Sequence, residues 1–141
     1  MNLSEMFYRG VAETLWYYCD KHEIPNFIGG SRRFEFYRNK SDLDIFMYLK
    51  DQKHLGEFFD MGFRSDVNSD MYPGEVLSFH GIIHIAILKD LGSFVLLQKN
   101  HDRVAKYLIE NITFREFARS LKCRGVKGSL IYRSLLDLAK K

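Results

Sequence analysis

The sequence predicts an α+β fold: a small mixed β-sheet with packed helices and a C-terminal helical bundle. Three observations carry that expectation. Phe7, Val11, Leu15 and Tyr18 recur at three-four spacing, the period of a helix. Between residues 26 and 88 the apolar runs are short and broken by Gly, Pro and Asp, as strands are. From Ser93 the helical period returns in Phe94, Leu97, His101, Val104 and Leu108.

The elements follow in order. A first helix over 4–22 stops before Pro25, whose ring disfavours helix in the residue ahead of it. Residues 26–29 form a strand. Residues 31–37 form a turn of helix with its first amides free to face an anion. Residues 42–49 form a second strand. A short helix over 53–61 is closed by Gly62 as a left-handed cap. Residues 64–73 are polar and Asp-rich and read as a loop. Residues 75–79 and 82–88 form a hairpin, because His80-Gly81 between two apolar runs suits a primed turn. One long helix extends to about residue 110. Thr113-Phe-Arg-Glu116 fits a capping box for a helix to Cys123, with Gly125 just past its end. Ser129 caps a last helix carrying Ile131, Leu135 and Leu138.

At 141 residues, 46% hydrophobic and 15% aromatic, the chain can fill one core. It has no internal repeat and no Pro-, Gly- or Ser-rich linker. One domain over 1–141 is expected, with a core at 1–90 and accessory helices at 91–141. Cys19 and Cys123 are far apart and form no C-x-x-C pair, so neither a zinc framework nor a redox motif is expected. Both read as buried thiols in a reducing compartment. The N-terminal stretch carries Glu5 and no apolar run of signal-peptide type. The strongest apolar run, 82–88, is interrupted by His84 and is too short to span a bilayer. A cytoplasmic protein without a membrane partner is the expectation.

The net charge is +3, unevenly spread. Residues 113–141 hold eight cations against Glu116 and Asp137, a balance of +6, which leaves −3 for the rest. A basic segment of this kind either holds a polyanion or a protein partner, RNA being one choice, or is a solvated helix face.

The richest stretch runs from Phe27 to Phe46. An apolar strand enters Gly29, Gly30 and Ser31, and a second strand carries Asp42 and Asp44, with Asp42 lying 11 residues after Ser31. Glycine lets a backbone approach phosphates closely. Magnesium is a hard cation that takes carboxylate oxygens. Two Asp residues one apart on a strand point to the same face, so both reach one metal cluster.

This combination resembles the signature of the polymerase-beta-like nucleotidyltransferase superfamily. The motif covers about residues 27–49, and strand order extends the likeness to about residue 88. The resemblance implies a sheet of nucleotidyltransferase type, with Gly29, Gly30 and Ser31 holding the triphosphate of an NTP. Asp42 and Asp44 would be catalytic and would hold Mg²⁺ (or Mn²⁺). Arg32, Arg33 and Lys40 stand beside the turn, either pairing with phosphate oxygens or solvated. Phe34, Phe36 and Tyr37 either stack on a base or pack in the core.

One departure is plain. Active members carry a third carboxylate on a later strand. Here that strand is 82–88, and its polar position is His84. Imidazole is a poor Mg²⁺ ligand. His84 acts as a general base or sits in the core hydrogen-bonded to a neighbour. Glu75 replaces the missing acid only if the hairpin register carries it inward.

Two functions therefore stand side by side. One is an Mg²⁺-dependent nucleotidyltransferase moving a nucleoside monophosphate from an NTP to a hydroxyl of RNA, protein or a small molecule. The alternative is a catalytically degenerate relative acting as a partner-binding or inhibitor/antitoxin-type module. Plain RNA binding through 113–141 ranks behind both. No Walker A sequence occurs, and His80 and His84 lack the intervening Glu of a zincin helix.

Overall fold

The computed structural model describes residues 3–34, 43–66 and 75–141. Helix α1 (Leu3–Lys21) leads into β1 (Asn26–Gly29), the short α2 (Gly30–Phe34) and β2 (Leu43–Tyr48). A 3₁₀ turn (Gln52–His54) and α3 (Leu55–Asp60) precede β3 (Arg64–Ser65), β4 (Glu75–Phe79) and β5 (Ile83–Leu88). Helices α4 (Leu91–Glu110), α5 (Ile112–Cys123) and α6 (Gly128–Ala139) complete the described chain. The fold is α+β, with a mixed sheet and a helical C-terminal part.

The five strands lie in the order β1-β2-β5-β4-β3. β2 and β5 are parallel, and every other neighbour pair is antiparallel. Both faces of the sheet are used. Ile45, Met47, Leu77, Phe79, Ile83, Ile85 and Ile87 share one face and pack with Ala12, Leu15 and Cys19 of α1 and with Phe58 and Phe63 at α3. Phe27, Phe46, Ala86 and Leu88 alternate to the other face, where Phe94 of α4 covers them. Burying each large apolar side chain contributes about 1.5–3 kcal/mol, so the two clusters dominate the fold's stability. A third cluster joins Phe34 of α2 to Val104, Leu108, Ala118, Ile131 and Leu135 of the C-terminal helices. Phe34 is thus a core residue, whereas Phe36 and Tyr37 lie outside the described residues.

Local chemistry sets the helix ends. α3 closes as expected at Gly62, with φ 106°. Gly62 N–H donates to Phe59 O and Phe63 N–H to Phe58 O, the paired bonds of a Schellman cap. The same pair of bonds ends α5 at Gly125. α1 uses it too, but with Glu23 at φ 53° in the left-handed position, a costlier choice than glycine. The hairpin turn is primed: His80 and Gly81 both have positive φ, and Ile82 N–H donates to Phe79 O.

Five expectations need correction. Arg64–Ser65 pairs with β4 as a strand, where the polar composition predicts a loop. Two residues are too few to show a period, so only the neighbouring strand defines them. Thr113 does not cap α5, which already begins at Ile112. Ser129 lies inside α6, which starts at Gly128 without a side-chain cap. In both cases the helix begins one residue ahead of the expected cap, with the Phe114 and Arg115 N–H groups donating to Asn111 O and those of Leu130 and Ile131 to Lys127 O. Cys123 is exposed, unlike the buried Cys19, because it sits on the outer face of the last turn of α5. Phe7 is 61% exposed and leans on Phe79 from the rim.

Among the described residues no helix is long and apolar enough to cross a membrane.

Candidate functional site

Strand register assembles the site. Gly29 pairs with Asp44, Asp44 with His84, His84 with Ser78, and Ser78 with Arg64. Residues directly opposite in a sheet share a face. One polar row therefore crosses all five strands, on the face that α4 covers farther along. β5 makes the contrast sharp: every residue of the strand is buried except His84. A buried apolar strand with a single polar residue marks where the helical cover ends.

Gly30 begins α2 with φ 68°. A Cβ there would run into the carboxylate of Asp44, 3.2 Å from its Cγ. The Asp44 side chain thus lies directly against bare backbone at the glycine corner. Gly29 is required for a different reason. Its Cβ would press on the Phe46 ring and come within 2.9 Å of His101 Nε2. With five residues, α2 has little dipole of its own; the corner's chief asset is close approach to the backbone.

His84 stands next to Asp44. Its Nδ1 is 3.5 Å from Asp44 Oδ1, and its Nε2 is 3.7 Å from Asp66 Oδ2. The three side chains are 13%, 18% and 27% exposed for His84, Asp44 and Asp66, so they form a half-sheltered floor. Asp66 follows β3, and its N–H donates to Val76 O, which holds it in register with β4. Sequence reasoning missed Asp66 because its strand is so short. The alternation Arg64-Ser65-Asp66 was the only signal present. Glu75 pairs with Ile87, so it lies on the opposite face from His84 and at the far end of the hairpin.

The remaining candidates divide. Ser31 and Arg32 lie in α2. Arg33 is tied elsewhere: its guanidinium pairs with Asp102 of α4 and donates to Ile28 O at 3.5 Å. It clamps α2 to α4. Lys40 and Asp42 lie outside the described residues.

Behind the corner sits His101, 3% exposed. Phe34 and Tyr132 stack on it, and Phe27 and Phe46 meet it at steeper angles. Its Nδ1–H donates to Leu97 O at 2.9 Å, with Tyr132 Oη 3.2 Å from the same nitrogen. Burial pushes its pKa down to about 4, against the raising effect of the Leu97 carbonyl. Burial likewise pushes the Tyr132 hydroxyl up to about 12. Both stay neutral near pH 7, so His101 serves as a structural wedge beneath β1 and α2.

Asp44 offers a hard oxygen donor at a corner open to backbone approach, which suits Mg²⁺. His84 offers nitrogen, which does not. Among the described residues no group of three or more His, Cys, Asp or Glu is arranged to hold a metal ion; the other expected carboxylate ligand, Asp42, lies outside the described residues.

No protein-family model matches the chain, and no curated protein matches it.

Proposed function

We propose that the chain is a nucleotidyltransferase of the polymerase-beta-like type, transferring a nucleoside monophosphate from an NTP to a hydroxyl acceptor. The observation that carries this reading is the Asp44 carboxylate lying against the Cβ-less backbone of Gly30. A nucleotide-binding corner and an acid for a hard cation belong together there.

In this mechanism the Gly29–Gly30 corner and the backbone at Ser31 receive the triphosphate. Asp44, with Asp42, would hold Mg²⁺ or Mn²⁺; the bound ion would offset the charge of the triphosphate and of the departing pyrophosphate. The acceptor hydroxyl oxygen forms a bond to the α-phosphorus. The bond from that phosphorus to the α,β-bridging oxygen breaks, and pyrophosphate leaves with the electron pair. His84, beside Asp44 on the row, receives the hydroxyl proton. Arg33 supports the site indirectly by holding α2 against α4.

The test is label transfer from α-labelled NTPs with Mg²⁺ or Mn²⁺, offered total RNA, protein and small hydroxyl compounds. Transfer that Asp44→Asn lowers about 100-fold or more is the expected result. Transfer indifferent to Asp44→Asn overturns the function. The replacement of a third acid by His84 favours one other outcome: Mg²⁺–ATP binds, nothing is transferred, and a protein partner docks regardless of Asp42→Asn with Asp44→Asn. That outcome identifies a catalytically degenerate, antitoxin-type module.

A further inference from the structure

Beyond His84 the polar row runs into a concavity of about 370 Å³, lined by Arg64, Ser65, Asp66, Ser78, His80 and Gly81, with Gly62 at its edge. We propose that this concavity is the subsite for the acceptor, and that the acceptor is a small hydroxyl compound carrying both a carboxylate and an ammonium group. The proposal rests on the nucleotidyltransferase function above and adds the place and class of the second substrate.

Ser78 is the register partner of His84, and His84 is the register partner of Asp44. Asp66 in its lining reaches within 3.7 Å of His84 Nε2, so the concavity opens beside the proposed base. A molecule of amino-acid size seated there points one end toward His84. The volume suits such a molecule, at the lower end of small-ligand sites.

The lining decides the class. Arg64 and Asp66 are two apart on one strand face, so a cation and an anion both line the wall. The guanidinium is already anchored, because Nη1 donates to Phe59 O at 2.9 Å and to Phe63 O at 2.7 Å. An anchored Arg loses little freedom on meeting a carboxylate. Ser78 Oγ accepts the Gly81 N–H at 3.0 Å, which holds the hairpin tip as the third wall. A polyanion such as RNA meets a carboxylate at Asp66, with only the His80 ring to stack on among the lining residues. A mixed-charge ligand satisfies both ends.

Amide chemical shifts of the full-length protein test this with three probes of one hydroxyl each: L-serine, ethanolamine and glycolate. L-serine is expected to shift the Ser65, Ser78 and Gly81 amides and to bind about tenfold more tightly than either singly charged probe. Arg64→Gln should abolish the advantage over ethanolamine, and Asp66→Asn the advantage over glycolate. Equal binding of all three, no shift at these amides, or larger shifts there with a short oligoribonucleotide overturns the proposal. Mg²⁺–ATP is titrated separately and read at Gly29 and Gly30. Shifts there without a serine site sink only the acceptor subsite; loss of both sinks the transferase function as well.

Discussion

The side chain of Asp44 occupies the space into which a side chain at Gly30 would grow. The two residues come from different strands' ends, Gly29 and Asp44 being register partners across β1 and β2. Glycine is therefore demanded twice at residue 30, by its positive φ and by the carboxylate.

Gly30→Ala should lower stability by about 2–4 kcal/mol, combining left-handed backbone strain with overpacking. It should also displace Asp44 and weaken Mg²⁺–ATP binding. Gly29→Ala should destabilise through Phe46 and His101 instead. Gly10 of α1 is the control, since a Cβ added there would meet nothing within 4 Å. Gly10→Ala should stabilise by about 0.5–1 kcal/mol. Urea denaturation of the three variants checks the order. A Gly30→Ala protein as stable as the parent would remove the conflict on which the site is built.

His101 sets an acid limit. Its folded pKa is about 4, against an ordinary value of 6.5. The unfolded chain therefore binds the extra proton first as pH falls, and stability is lost between about pH 6.5 and 4. The contribution is about 3 kcal/mol across that window. His101→Phe, which keeps the aromatic stack, should flatten the slope. Denaturation midpoints at half-unit pH steps measure it; an unchanged slope in the variant would assign the acid sensitivity to other groups.

The two thiols should react at very different rates. Cys19 is buried, and desolvation pushes its pKa up to about 11, so little thiolate forms near neutral pH. Cys123 is exposed. Native protein should give one fast-reacting thiol with a colorimetric disulfide reagent, and denatured protein two. Fast reaction of both in the native state would contradict the packing of α1 on the sheet.

Much of this architecture was legible in the residues. Leu15, Val104, Leu108, Ile131 and Leu135 are buried as the helical period demanded, because amphipathic spacing is itself the packing instruction. Gly62 and Gly125 mark helix ends for a local steric reason. Thr113 and Ser129 misled because each is already the second residue of its helix, whose first bonds close on the Asn111 and Lys127 carbonyls. Arg64–Ser65 was invisible because an edge strand this short exists only through its partner.

Sequence alone determined the helices and the four longer strands, the bare corner at Gly29–Gly30 and the polar break at His84 within an apolar strand, since spacing and backbone freedom are local properties. Tertiary structure decided what meets across the sheet: Asp44 against Gly30, Asp66 beside His84, and Arg33 turned toward Asp102. Those contacts depend on strand order and register, which join residues far apart along the chain and leave no trace in any single segment.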